Sequence, residues 1–126
     1  MAVAYSARAY QDTTADTADQ NQALVLLFEG AVRFLARALQ AMRRKDYEAQ
    51  CDGIVRTQRI FSTLMCSLDR TAAPELTAGL WSTYEWIHAS LTEASLHDDE
   101  ELLQQVLEVV SDLCEAWRQA RRNLTQ

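Results

Sequence analysis

The chain has 126 residues, a formal net charge of −6 and 48% hydrophobic residues, which suits one domain with enough apolar material for a core. The acidic balance argues against nucleic-acid binding, which needs clustered Lys and Arg. No run approaches the roughly 20 uncharged residues of a membrane span, and Met1-Ala-Val-Ala-Tyr-Ser lacks the charged head and long apolar run of a signal peptide, so a cytoplasmic protein without membrane insertion is expected.

Residues 1–18 are rich in Ala, Thr, Asp and Tyr and have no helical periodicity. They read as a mobile arm carrying two aromatics, Tyr5 and Tyr10. The bundle proper is expected over 19–126. A first helix over about 20–43 should open at Asp19, with Gln22 as its capping-box partner. Its stripe runs Leu24, Leu27/Phe28, Ala31, Phe34/Leu35, Ala38 and Met42, and a second stripe of Val25, Val32 and Leu39 widens the face. That width suits a helix with neighbours on two sides. Arg43-Arg44-Lys45, the densest basic run, reads as a solvated helix end.

Asp46 is the expected cap of a second helix over 47–68. Its seam reads Cys51, Ile54, Phe61, Leu64/Met65 and Leu68, with Gln58 interrupting it and Val55 and Ile60 off it. Ser67-Leu68-Asp69-Arg70-Thr71 makes the connection. Pro74 fits the first turn of a third helix over 74–96, where a missing N–H costs nothing. The seam there is Leu76, Leu80, Tyr84 (or Thr83), Ile87, Leu91 and Ala94, with Trp81 and Trp86 to either side and no Lys or Arg. In the fourth helix, over 99–123, Asp98 and Glu101 suggest a capping box. Leu103, Val106, Val110, Leu113, Trp117, Ala120 and Leu124 form a heptad seam. Acidic residues at its start and Arg118, Arg121 and Arg122 at its end complement the helix dipole. Four helices with short connections predict an all-α, antiparallel up-down four-helix bundle.

Catalytic chemistry finds little support. Glu85-Trp-Ile-His88 has the Glu-x-x-His spacing of di-iron bundles, but such sites need a second motif and two further glutamates. Ser90 lies two residues from His88 and points elsewhere on a helix. Gly30, Gly53 and Gly79 are isolated, so no phosphate loop exists. Cys51, Cys66 and Cys114 are odd in number and widely spaced, which reads as three small buried hydrophobes rather than a disulfide or zinc framework. Neither an enzyme nor a bound cofactor or metal is expected.

The surplus apolar residues remain. Val55, Ile60, Trp81, Tyr84 and Trp86 exceed what one seam requires and are candidates to line a groove for a partner's amphipathic helix. The arm could cover that groove when the partner is absent. The same surplus face could instead make a homodimer, giving an adaptor or structural module.

Several segments together resemble the FliS family of flagellin-specific export chaperones. They are Ala9-Tyr10-Gln11; Leu24-Val-Leu-Leu-Phe28-Glu-Gly30-Ala-Val-Arg-Phe34-Leu35; Lys45-Asp46-Tyr47-Glu48; Ser67-Leu68-Asp69; Leu80-Trp-Ser-Thr-Tyr84-Glu85-Trp86-Ile87; and Glu115-Ala116-Trp117-Arg118-Gln119-Ala120. The order and intervals match over nearly the whole chain. Two departures stand out. Ala18-Asp19-Gln20-Asn21 replaces the family's Ser-Pro or Thr-Pro, and His88-Ala89 stands where an Arg-Arg pair is usual. The resemblance implies a cytosolic chaperone that holds the amphipathic C-terminal segment of flagellin, prevents premature polymerisation, and hands the chain to the flagellar export apparatus. It also implies that Tyr10 anchors the arm.

Overall fold

A computed structural model describes residues 18–69, 71 and 73–125. Four helices account for nearly all of them: α1 (Ala18–Arg44), α2 (Tyr47–Cys66), α3 (Pro74–His97) and α4 (Glu100–Thr125). The architecture is an all-α four-helix bundle. Helix α1 packs closely on both α2 and α4. Helix α3 lies across the diagonal and packs more sparingly on α2, and least on α4. Tyr10 and the expected arm lie outside the described residues.

Side-chain spacing explains the arrangement. The first stripe of α1 faces α2, where Phe34 and Ala38 approach Gly53. Its second stripe, with Val25 and Leu39 buried, turns toward α4, where Glu29 meets Arg118 at 2.8 Å and Arg43 meets Glu100 at 2.6 Å. The two neighbours expected from the width of the apolar face are therefore α2 and α4. In α4 the heptad positions Leu103, Val106, Val110, Leu113 and Trp117 are all buried.

Each helix contributes one aromatic ring to the centre. Phe28 of α1 stacks on Trp117 of α4 at 6.1 Å and meets Phe61 of α2 edge-on at 6.0 Å. Tyr84 of α3 closes the group at 5.6 Å from Phe61 and 6.5 Å from Phe28. Offset and edge-on contacts of this kind add to simple area burial.

The α1–α2 approach is set by one glycine. A Cβ on Gly53 would stand 2.7 Å from the Phe34 carbonyl oxygen and 3.0 Å from the Ala38 Cβ, whereas one on Gly79 in α3 would meet nothing within 4 Å. Only Gly53 is a close-approach glycine.

The two hairpin turns at one end of the bundle are alike. Lys45 (φ 61°) and Asp98 (φ 49°) both adopt the left-handed conformation. The amide of the next residue then reaches back five positions, Asp46 to the Ala41 carbonyl and Asp99 to the Ala94 carbonyl, each at 2.9 Å. That is a Schellman closure without glycine. Asp46 caps α2 as expected, accepting the Ala49 amide at 3.2 Å. In α4 the cap is Asp99, which accepts the Leu102 amide at 3.0 Å, and not Asp98 as the sequence suggested. Asp98 is instead the left-handed residue that ends α3, and its carboxylate accepts from Gln50 Nε2 at 2.9 Å. That bond and Arg43–Glu100 join the two turns.

Three further expectations are corrected. The inward position of α2 between Ile54 and Phe61 is filled by Thr57, whose hydroxyl is buried and donates to the Gly53 carbonyl at 2.8 Å; Gln58 points to α3. Helix α2 stops at Cys66, where the Ser67 hydroxyl donates to the Leu64 carbonyl at 2.8 Å. Only Cys114 is buried among the thiols, while Cys51 and Cys66 are exposed. Burial raises the Cys114 pKa despite the nearby Arg118.

Candidate partner-binding surface

Helix α3 is the least enclosed of the four and is apolar on more than one face. Ala73 (φ 45°) turns the chain into it, Pro74 occupies its first turn, and the Thr77 amide bonds the Ala73 carbonyl at 3.0 Å. Its inward face, from Leu80 through Tyr84, Ile87 and Leu91 to Ala94, is buried.

The outward face repeats at the same helical spacing. Ala78, Ser82, Trp86, Ala89, Glu93 and Leu96 recur every three or four residues, and all are exposed. Trp86 retains 43% of its surface and Leu96 71%. Glu75, Glu85 and Glu93 are the only Asp or Glu side chains on α3, which has no Lys or Arg. Glu93 contacts His97 Nε2 at 3.0 Å.

Trp81 sits at the edge of this face, half-buried against the core. Its indole N–H donates to the Glu85 carboxylate one turn on, at 3.1 Å. A shallow hollow of about 270 Å³ beside it is lined by Pro74, Thr77, Ala78, Trp81 and Ser82. The neighbouring α2–α3 seam is pinned by Gln58, whose side-chain amide donates to the His88 carbonyl at 3.1 Å and to Thr92 Oγ1 at 2.8 Å. Val55, one turn before Gln58 on the same flank of α2, is half-buried.

The six residues singled out by sequence therefore separate. Val55, Trp81 and Trp86 lie on or beside the α3 face. Ile60 points the other way, its Cδ1 lying 3.9 Å from where a Cβ on Gly30 would be, so it fills the α1–α2 seam. Tyr84 is fully buried in the aromatic centre and lines no surface groove. Tyr10 lies outside the described residues. Sequence reasoning overlooked Leu96 because it lies at the expected end of the third helix and off its seam. Its 3-4-3 spacing from Trp86 through Ala89 and Glu93 was the available signal.

Among the described residues, chemistry of the usual catalytic kinds is not assembled. Among the described residues no three His, Cys, Asp or Glu side chains are placed to hold a metal ion. Glu85, half of the Glu-x-x-His spacing, is engaged by Trp81. No described helix is long and apolar enough to cross a membrane.

A family model described as flagellar protein FliS matches residues 1–124. The chain belongs to the FliS family. It is 32% identical to the flagellar secretion chaperone FliS of Campylobacter jejuni, over 93% of this chain and 91% of that protein. The Bacillus subtilis chaperone of the same name is 29% identical, with 95% and 89% covered, and that of Salmonella typhimurium 26% identical, with 94% and 92% covered. FliS is a chaperone family and not a family of enzymes. For a chaperone of this family a face, and not a reactive cleft, is the feature of interest. Of the aromatics within its family-like segments, Phe28, Tyr84 and Trp117 are core residues, whereas Tyr47 and Trp86 are exposed.

Proposed function

We propose that this chain is a cytosolic export chaperone that receives the amphipathic C-terminal segment of flagellin on the open side of α3. The observation that carries the reading is the exposed stripe from Ala78 to Leu96, with Trp86 at its middle and the Trp81 hollow at its edge. A helix of 24 residues offers about 36 Å of length. Small residues at Ala78, Ser82 and Ala89 let a guest helix approach closely, and Trp86 and Leu96 supply anchors of the kind helix-in-groove recognition uses.

An unfolded guest loses conformational entropy on ordering, so it needs a long interface to offset that cost. Covering the guest's apolar face blocks its pairing with other flagellin chains and keeps it extended enough for export through the flagellar apparatus. ATP has no part in this reading, since release needs only a competing contact.

The test is a titration with flagellin C-terminal peptides followed by far-ultraviolet circular dichroism. Helical signal should rise above the sum of the components, and the rise should be lost with Trp86→Asp. No gain in helix, together with a concentration-independent dimer by sedimentation, would assign the face to self-association instead.

A further inference from the structure

Residues 30–45 carry five basic side chains and no acidic one. Arg43 is paired with Glu100, and Lys45 stands at the left-handed turn that ends the helix. Arg33, Arg37 and Arg44 behave differently. They lie four and seven residues apart, so they share one face of α1. All three are exposed, and among the described residues none of them makes an ion pair, while Arg43, Arg56, Arg118 and Arg122 do. Three exposed guanidinium groups thus share one face of a chain of net charge −6.

The strip has a shape as well as a charge. It runs about 16 Å along the helix. A shallow hollow of about 400 Å³ next to it is lined by Ala36, Arg37, Gln40, Arg44 and Ala49, between α1 and the start of α2. The flanks are not basic: α2 presents Glu48 and an Asp52 paired with Arg56, and α4 presents Glu108 with Glu100 and Glu115, both of which are paired with arginines, all five carboxylates being exposed. A broad anionic surface, such as a bilayer or a duplex, would meet these carboxylates together with the arginines. A single acidic helix would meet only the arginines, each able to grip a carboxylate through two parallel hydrogen bonds.

We propose that the outward face of α1 is a second docking surface, for an acidic helix of a partner protein that carries carboxylates one and three turns apart and a small apolar side chain to seat between Ala36 and Ala49. The site is diagonal to α3, so both surfaces can be occupied together, and the inference stands whether or not flagellin is the guest on α3.

A dye-labelled helical peptide with Glu at every fourth position and Ala between, followed by fluorescence anisotropy with the intact chain, tests it. Binding should be measurable at about 10 mM salt and weaken steeply at about 150 mM, as the screening length falls from about 30 to about 8 Å. Two triple variants have the same change in net charge. Arg33→Gln/Arg37→Gln/Arg44→Gln should lose about tenfold or more in affinity, and Ala78→Glu/Ser82→Glu/Ala89→Glu on α3 less than about twofold. Unchanged circular dichroism spectra show that both remain folded. No binding at low salt, equal losses in the two variants, or tighter capture of phosphatidylserine vesicles than of the peptide would overturn the proposal.

Discussion

Helices α1 and α3 face each other across the bundle and are built to opposite rules. Helix α1 sorts most of its residues: its apolar stripes are spent on α2 and α4, and its outer face is basic apart from the exposed Leu26. Helix α3 does not sort them. It buries one apolar face and leaves another, Trp86 and Leu96 included, in water beside acidic residues only. A helix whose polar and apolar sides are largely divided holds a fold together. One that is apolar beyond its own needs has material left for a partner.

The comparison can be broken most sharply at the centre. Trp117→Ala removes the ring stacked on Phe28, and a cost of about 3–5 kcal/mol is expected in denaturant unfolding. Trp86→Ala on the outer face of α3 should stay within about 0.5 kcal/mol of the parent. A large loss at Trp86 would mean that α3 is as enclosed as α1.

The glycines sharpen the contrast with opposite signs. Gly53→Ala forces a methyl against the Phe34 carbonyl and the Ala38 side chain, so thermal melting should show a loss of about 1–2 kcal/mol despite the better helix propensity of alanine. Gly79→Ala meets open space and should gain about 0.5–1 kcal/mol. At the turns, Asp99→Ala deletes the cap of α4 and should cost about 1 kcal/mol. The smallest effect concerns the thiols. Cys51 and Cys66 should react with a thiol reagent in the native protein, and Cys114, buried and raised in pKa, only as fast as the bundle opens.

Much of the fold could be read from the sequence because heptad spacing is a strong signal. The seam of α4 from Leu103 to Trp117, the two-sided face of α1, Asp46 as a cap and Pro74 in a first turn all stand as the residue patterns suggested. The errors have local causes. Asp98 and Asp99 are adjacent carboxylates, and only the backbone decides which caps and which closes the preceding helix in the left-handed region. Thr57 entered the core because its hydroxyl is satisfied by its own helix, a polar residue acting as an apolar one.

The candidate surface was less legible, for a geometric reason. Surplus apolarity flags a residue but not its direction. Val55 and Ile60, five positions apart, point about 140° away from each other around α2, so one borders α3 and the other is sealed over Gly30. Tyr84 carried the same surplus signal and lies at the centre of the core. Leu96, with no aromatic ring and at the end of its helix, carried only its spacing from Trp86, yet it is the most exposed large apolar side chain on α3.

Hydrogen–deuterium exchange of the chain, alone and saturated with a flagellin C-terminal peptide, asks directly which helix takes the guest. Slowed exchange over 74–97 and along the Val55 flank of α2, with 33–44 unchanged, is the expected pattern. Protection concentrated on α1, or none on α3, would contradict the assignment of the open α3 face to the client.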